Sequence, residues 1–315
     1  MHAYALAWIA RHAGSGRDAV REQTRTEYQR LLATFALSYF PASVRLADLD
    51  RPALQGFIGW LTDRPGRNGR LSDRSIRNAL TPLRLCLDAA ANEGLVSGDL
   101  TRTLVLPARR GGRRWDVRER RSLNREELTR LLEEIPPDYQ ALFSLLASTG
   151  LRISEAIGLR WCDLDLDASP PHLRVRRAIV KGVVGAPKSR YGARTIPLTD
   201  DLARQLREMW PSDGDTEDLV FQNHCGRPIE PHTLRKCVLA PAAARAGVPG
   251  IGLHTLRHTC ASLLIERGTS PLRLQRWMGH HAAAYTLETY GHLIDDELGD
   301  ALDLDRLAAR SSEVR

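Results

Sequence analysis

Hydrophobic residues in the first third of the chain recur at helical spacing. One group stands at positions i, i+3, i+4 and i+7, which predicts the buried face of a helix: Leu54, Phe57, Ile58 and Leu61. A longer segment starts at Ser72, a good N-cap residue, and stops at Gly94. Pro82 within it predicts either a kink or a boundary. We therefore expect residues 21–107 to form an all-helical module of four or five helices.

Helical signals return after residue 121. Asn124 and Glu127 have the spacing of a capping box, and Pro136 follows where that helix should end. Residues 138–148 predict a second helix, which Gly150 closes. Two helices in sequence thus open the second part of the chain.

Two later stretches have the pattern of strands. Residues 173–180 and 194–198 alternate in polarity or are β-branched, which is typical of a small antiparallel sheet. Thr199 then caps a helix that continues to Met209, and the pattern is helical again from residue 231. The predicted fold class is mainly α with a small antiparallel sheet.

The segment between the two parts is strongly basic. Residues 107–121 hold seven arginines against Asp116 and Glu119, around a Gly-Gly pair. This composition indicates a flexible cationic linker, whose arginines could meet successive phosphates of a nucleic acid; a solvated spacer is the alternative. The candidate DNA contacts are Arg109, Arg110, Arg113 and Arg114. We expect an N-terminal extension (1–20), the helical module (21–107), the linker (108–121) and a second domain (122–315).

Composition narrows the class of protein. The 315 residues carry a net charge of +7, which indicates an anionic partner, and only three of the 45 basic residues are lysines: Lys181, Lys188 and Lys236. The five cysteines are scattered without a C-x-x-C pair, which argues against a disulfide framework or a zinc site and fits a reducing cytoplasm. No apolar run reaches about 18 residues, so no membrane span is expected.

Arginine and histidine carry the candidate chemistry. Arg152 opens a helix, where a cation works against the helix dipole, so its position does not serve helix stability. An ordinary ion pair with Glu155 is the structural alternative. His254, Arg257 and His258 share one helix face, and this set suits an oxyanion better than a metal ion, because no carboxylate stands between the histidines.

A nucleophile and a proton donor complete this chemistry. His280 precedes Tyr290 by ten residues, and Tyr285 is a rival that spacing alone does not exclude. A phenol with an ordinary pKa near 10 needs a proton acceptor or nearby cations before it can attack. Lys188 in a predicted hairpin loop can protonate a leaving alkoxide, with Lys181 as the less favoured candidate.

Together these segments resemble the tyrosine recombinases, or phage integrases. Thr149-Gly-Leu-Arg-Ile-Ser-Glu155 resembles the family's first arginine motif, and His254-x-x-Arg257-His258 its second. The other matching segments are Pro187-Lys188 with the hairpin strand at 194–198, Trp277-Met-Gly-His280, and Glu288-Thr-Tyr290. They occur in the family's order over most of residues 122–295. The module before the linker is similar to the family's core-binding domain, and residues 122–315 to its α+β catalytic domain.

The resemblance implies a role for each site residue. Tyr290 would attack the scissile phosphate and join the DNA 3′ end, while Arg152 and Arg257 bind the nonbridging oxygens. Lys188 would protonate the leaving 5′ oxygen. His254, as a base for Tyr290, and His280 would complete the pocket, with Glu155 orienting it. Neither a metal ion, a cofactor nor ATP is expected.

The same resemblance implies partners and leaves alternatives open. Double-stranded DNA is the expected substrate, bound by a homotetramer assembled as a dimer of dimers, and a directionality factor stays open as a partner. Residues 295–309 form an acidic amphipathic tail that would dock on a neighbouring subunit or on its own domain. The favoured function is integration or excision of a phage or mobile element. The alternatives are a housekeeping recombinase that resolves replicon dimers, a related topoisomerase, and a catalytically silent DNA-binding regulator.

Overall fold

The chain divides into two compact units, Met1–Arg114 and Trp115–Arg315. The computed structural model describes residues 1–11, 22–66, 69–96, 100, 121–187, 191–211, 214–280 and 290. Among these residues, no helix combines the length and the apolar character that a membrane span requires. The linker arginines 109, 110, 113 and 114 lie outside the described residues, so their role stays a prediction.

The described part of the first unit is helical. Its helices are α1 (His2–Arg11), α2 (Glu22–Leu31), α3 (Leu37–Tyr39), α4 (Arg51–Asp63) and α5 (Asp73–Asn92). A π-helical turn, Leu32–Ala36, connects α2 to α3, and two-residue strands β1 (Pro65–Gly66) and β2 (Gly69–Arg70) pair antiparallel. The predicted apolar stripe of α4 is buried, which confirms that helix.

Two details of the first unit differ from expectation. Trp8 and Ile9 of α1 are buried in the same core as Phe57, so residues 1–11 pack within the helical module and do not extend from it. Pro82 is buried inside α5, which runs on for ten further residues to Asn92. A boundary at Pro82 is therefore wrong.

The second unit contains eight α-helices in its described residues, besides a 3₁₀ turn, Trp161–Asp163, and a π-helical segment, Leu234–Leu239. The α-helices are α6 (Arg125–Glu133), α7 (Pro137–Thr149), α8 (Ile153–Ala156), α9 (Asp200–Glu208), α10 (Pro231–Thr233), α11 (Ala240–Arg245), α12 (Leu253–Glu266) and α13 (Pro271–Met278). The predicted caps are present: the Asn124 side chain accepts from the Glu127 amide at 2.8 Å, and the Thr199 hydroxyl accepts from the Leu202 amide at 3.3 Å. These caps satisfy amides that a helix start leaves unpaired.

Short antiparallel strands accompany these helices. β3 (Leu164–Asp165), β4 (His172–Val175) and β7 (Arg194–Pro197) form one sheet in the order β3-β4-β7, while β5 (Ala178–Val180) and β6 (Val183–Gly185) form a separate hairpin. The predicted strand over 173–180 is thus two strands, interrupted at residues 176–177. In the three-stranded sheet, Leu173 pairs with Ile196 and both are fully buried, which is consistent with the register between β4 and β7.

Candidate active site

The site residues that the structure describes all belong to the second unit. They are Arg152, Glu155, His254, Arg257, His280 and Tyr290. Lys188 and the rival Tyr285 lie outside the described residues. The described part of the site thus consists of the arginines, the buried carboxylate, and the tyrosine with its histidines.

Arg152 is presented by a break between two helices. Gly150 ends α7 with a left-handed backbone (φ 63°), which favours glycine, and Arg152 then serves as the N-cap of α8. Its Nη1 donates to Glu155 Oε1 at 2.7 Å, so the ion pair considered as an alternative does form. Its Nη2 also donates to the Gly279 carbonyl at 3.3 Å, and 28% of the side chain remains exposed. Arg152 is thus held by the protein but open to solvent.

Arg257 is buried within α12. Its Nη1 donates to the Gly150 carbonyl and its Nη2 to the Met278 carbonyl, both at 2.5 Å. Burial, and after it the charge of Arg152, lower the pKa of Arg257 from its ordinary value to about 10. The guanidinium remains charged at pH 7. Arg152 and Arg257 donate to the adjacent carbonyls of Gly279 and Met278, so the fold brings the two arginines together.

Glu155 is almost fully buried between two arginines. Its Oε2 accepts from the Arg152 amide at 3.0 Å and from Arg194 Nη2 at 3.0 Å, and only 2% of its side chain is exposed. Burial by itself raises the pKa of this carboxyl. The charges and hydrogen bonds of Arg194 and then Arg152 outweigh burial, so the pKa of Glu155 is lowered from its ordinary value. The carboxylate therefore stays ionised at neutral pH.

Tyr290 lies against two histidines. Its hydroxyl is 2.9 Å from Nδ1 of His258, and its ring is stacked on His280 with centroids 6.4 Å apart and planes 11° apart. Tyr290 is only 3% exposed and packs against Cys260, Leu274 and other buried residues of α12 and α13. The sequence analysis placed His258 with His254 and Arg257 in a set suited to an oxyanion, but did not predict its contact with the phenol of Tyr290. This hydrogen bond runs to the histidine one turn beyond His254, the residue that the resemblance named as base.

His254 has an exposed side chain at the start of α12. Its pKa is lowered from the ordinary value, first because neighbouring protein displaces water from part of the ring, and then because Arg257 and Arg152 are positively charged. The ring is therefore neutral at pH 7. A neutral imidazole beside two guanidiniums can accept a proton or donate a hydrogen bond to an oxyanion.

Arg194 is a member of this site that the sequence did not assign, although the strand that it begins belongs to a recognised motif. Its partners lie 39 and 83 positions away in the chain, at Glu155 and Trp277. A basic residue at the start of a predicted strand gives no signal of such distant contacts. Among the described residues, no three histidine, cysteine, aspartate or glutamate side chains are grouped to hold a metal ion.

Two protein-family models match this chain. The model of the phage integrase family matches residues 121–297, and that of the phage integrase SAM-like domain matches residues 5–103. A tyrosine recombinase XerC-like protein of Caldanaerobacter subterraneus is 29% identical over 206 residues, or 56% of this chain and 52% of the relative. The matched part of the chain thus spans about half of that relative's length.

Two further comparisons cover nearly the whole chain. A putative prophage phiRv2 integrase of Mycobacterium tuberculosis is 28% identical over 299 residues, covering 92% of this chain and 73% of the relative. A Tn1549 transposon integrase, solved in complex with transposon right end DNA, matches with a TM-score of 0.66 at 20% identity, covering 99% of this chain and 98% of the other. At this identity the structural likeness shows the fold alone.

Proposed function

The chain belongs to the phage integrase family, and from this premise we propose that it is a site-specific DNA recombinase that cuts and rejoins strands through a covalent link to Tyr290. The observation that carries the proposal is the meeting of Arg152 and Arg257 at the end of α13, in the unit where Tyr290 is buried beside His258. Phosphoryl transfer depends mainly on positioning and on stabilising negative charge. The two guanidiniums supply the positive charge that stabilises the phosphate, without a metal ion.

Arg152 and Arg257 bind the nonbridging oxygens of the scissile phosphate. Arg257 is fixed by two carbonyls before DNA arrives, so its charge needs little reorganisation during the reaction. Arg152 keeps part of its guanidinium accessible and can donate to a phosphate in the bidentate geometry that this group favours. His254 and His280 complete the phosphate pocket, and Glu155 orients Arg152.

Tyr290 attacks the phosphorus through its phenolic oxygen. The phenol O–H bond breaks and its proton passes to Nδ1 of His258, which lies 2.9 Å away. A bond forms between the phenolic oxygen and phosphorus, and the bond from phosphorus to the 5′ oxygen of the next nucleotide breaks. Lys188, outside the described residues, gives its proton to that 5′ oxygen. We thus assign to His258 the role that the resemblance gave to His254.

The intermediate explains why no energy source is needed. An aryl phosphodiester replaces an alkyl phosphodiester, so the number of phosphodiester bonds is unchanged. A free 5′ hydroxyl can then attack the tyrosyl phosphate and release the phenol in the reverse of the first step. Neither ATP nor a cofactor enters this sequence of steps.

The proposed partner is double-stranded DNA. A net charge of +7 favours a polyanion. Reciprocal exchange between two duplexes cuts four strands, so we propose a homotetramer on DNA, assembled as a dimer of dimers, with a directionality factor as an accessory. The linker arginines 109, 110, 113 and 114 contribute phosphate contacts. Integration or excision of a mobile element and resolution of replicon dimers use the same chemistry.

The proposal is tested by trapping the covalent intermediate. A duplex is selected from a random-sequence pool by binding to the wild-type chain, and versions nicked at successive positions release a short oligonucleotide after cleavage. The wild-type chain is expected to accumulate a protein–DNA adduct on one of them. Tyr290→Phe, which lacks the nucleophilic oxygen, is expected to bind the same DNA and to form no adduct.

Two matched variants make this assay specific. Tyr285→Phe removes the rival phenol and is expected to leave adduct formation intact; the reverse pattern would move the nucleophile to Tyr285. His258→Gln is expected to slow adduct formation by about 100-fold or more, the range for loss of a general base. A wild-type rate in His258→Gln would return that role to His254.

A further inference from the structure

Three consecutive carbonyl groups at the C-terminal end of α13 accept hydrogen bonds from three arginines. Arg194 Nε donates to the Trp277 carbonyl at 2.6 Å, Arg257 Nη2 to Met278 at 2.5 Å, and Arg152 Nη2 to Gly279 at 3.3 Å. These consecutive carbonyls belong to a helix end, where carbonyls lack intrahelical partners and carry partial negative charge. Three guanidiniums from different elements are thus oriented by one helix terminus.

Arg194 differs from its neighbours in what its nitrogens contact. Besides the Trp277 carbonyl, Nη1 donates to the Gly192 carbonyl at 2.9 Å and Nη2 to Glu155 Oε2 at 3.0 Å. All three nitrogens of the group therefore point into the protein, and 6% of the side chain is exposed. Such a guanidinium is placed to hold other groups in position, whereas a phosphate would meet the more open Arg152.

Glu155 makes the charge of Arg194 necessary. The buried carboxylate is bound by Arg152 and Arg194 together, so this trio carries a net charge of +1. Without Arg194 the trio is neutral, and Arg152 becomes the sole ion-pair partner of Glu155 among the contacts found in the described residues. The negative charge of Glu155 then offsets the positive charge of Arg152, and the carboxylate competes with a phosphate for the hydrogen bonds of the same guanidinium.

Gly279 shows how closely Arg194 is packed against the helix end. A Cβ atom at Gly279 would lie 2.9 Å from Arg194 Nη1 and 3.0 Å from the Tyr191 carbonyl oxygen. Because Arg194 is tied by three hydrogen bonds, it cannot withdraw without losing some of them. The side chain is therefore a fixed bridge between the start of β7, the end of α13 and the Glu155 carboxylate.

We propose that Arg194 is a positioning residue of the recombinase, which shares Glu155 with Arg152 and thereby holds Arg152 in the orientation that the scissile phosphate requires, with its positive charge only partly offset by the carboxylate. This inference rests on the role proposed above for Arg152. Arg194 contacts no reacting atom and acts through Glu155 and the end of α13. Its removal should affect the rate of strand cleavage far more than the affinity for DNA, because the linker and the helical module still supply phosphate contacts.

The test compares Arg194→Gln, Arg194→Lys and the double variant Arg194→Gln/Glu155→Gln in the adduct assay, with DNA affinity and thermal unfolding measured alongside. Arg194→Gln is expected to slow adduct formation between about tenfold and 100-fold, the scale of a small misplacement of a catalytic group. Arg204→Gln, at an exposed ion pair with Asp201, is the matched control and should cleave at the wild-type rate. Affinity for DNA should change less than about threefold in every variant.

The double variant separates positioning from folding. Replacing the Glu155 carboxylate releases Arg152 from its ion pair, so the double variant is expected to cleave faster than Arg194→Gln. A purely structural role predicts the opposite, because a second contact has been lost. Should Arg194→Gln not fold, Arg194→Lys decides. It keeps the positive charge beside Glu155 with one donor centre in place of three, so adduct formation within about tenfold of the wild-type rate is expected, and a loss of about 100-fold or more in a folded Arg194→Lys would contradict the inference.

Failure of the inference is distinct from failure of the proposed function. If the wild-type chain forms an adduct and Arg194→Gln forms it equally fast, Arg194 has no positioning role, while the recombinase assignment stands. If the wild-type chain forms no adduct on any nicked duplex, or if Tyr290→Phe forms one, the proposed function fails before Arg194 is considered.

Discussion

Arg257 illustrates how a single residue acquires its chemistry from its surroundings. The residue is only 6% exposed, and this burial, together with the charge of Arg152, lowers its pKa to about 10. Two carbonyl oxygens, from Gly150 and Met278, compensate for the lost hydration. A cation in such a poorly screened position attracts a phosphate more strongly than an exposed arginine would.

His254 gives a prediction about pH and stability. The pKa of this histidine is lowered in the folded chain, by displaced water and by Arg257 and Arg152, relative to an ordinary histidine near 6.5 in the unfolded chain. Below about pH 6.5 the unfolded chain binds this proton more readily than the folded chain. The free energy of unfolding therefore falls as the pH decreases from about 6.5 to the lowered pKa of His254. His254→Gln removes this contribution.

Thermal unfolding measures this effect directly. Between pH 7.5 and 5.5, the melting temperature of the His254→Gln variant is expected to fall less than that of the wild type. Other titrating groups are common to both chains and cancel in the comparison. An identical pH dependence in the two chains would show that His254 is not perturbed by Arg257 and Arg152.

Individual residues also show how far the sequence could be interpreted. Arg152, Glu155 and Arg257 stand in motifs whose spacing places them on helix ends and faces, and the structure brings them together. Arg194 and His258 acquire their partners only through tertiary packing, across 39 and 32 positions respectively. Local spacing does not indicate such contacts, so the sequence could not predict that Arg194 binds Glu155 or that His258 contacts the Tyr290 hydroxyl.

At the scale of elements, the end of α13 organises the site. Trp277 Nε1 donates to the Thr149 carbonyl at 3.0 Å, which ties α13 to the last turn of α7. Gly279 then closes α13 with φ 63°, and the carbonyls of Trp277, Met278 and Gly279 itself accept from the three arginines. A shift of this helix end would move all three guanidiniums at once.

Gly279→Ala tests how tightly this helix end is packed. The matched control is Gly268→Ala, since Gly268 follows α12 with φ +75° and has open space around its missing Cβ. We expect Gly268→Ala to cost about 1–2 kcal/mol of unfolding free energy for left-handed backbone strain. Gly279→Ala should cost a further ~1–3 kcal/mol, because its methyl group meets Arg194 and the Tyr191 carbonyl.

Denaturant unfolding of both variants provides the measurement. The expected order of stability is wild type, then Gly268→Ala, then Gly279→Ala. Adduct formation should fall only in Gly279→Ala, since Gly268 is remote from the arginines in the described contacts. Equal losses of stability in the two variants would mean that Arg194 can move aside without cost.

Elements whose signals are local were predicted well. The Asn124 capping box and the Thr199 cap are present because side chain and amide lie within three residues of each other. The strand expected over 173–180 was too long, since apolar alternation continues while the chain leaves one sheet after Val175 and enters a hairpin at Ala178. Pairing partners decide where a strand stops, and alternation does not identify them.

At the scale of the whole molecule, the site lies within one of the two compact units. Every described site residue belongs to Trp115–Arg315, while α1 to α5 form a separate hydrophobic core in Met1–Arg114. Packing of α1 into that core was not predicted, because residues 1–11 show no feature that identifies their partner. The linker arginines and the tail at 295–309 remain predictions from charge and amphipathic pattern.

In the proposed mechanism, fixed cations surround one DNA phosphate within reach of Tyr290. The most direct measurement traps the adduct on the nicked duplex in the presence of a metal chelator, digests the protein, and identifies by mass spectrometry the peptide that carries the nucleotide. The account predicts full adduct yield with the chelator and a nucleotide linked to Tyr290 through a 3′ phosphate. A linkage to another residue, or cleavage that requires a divalent ion, would contradict it.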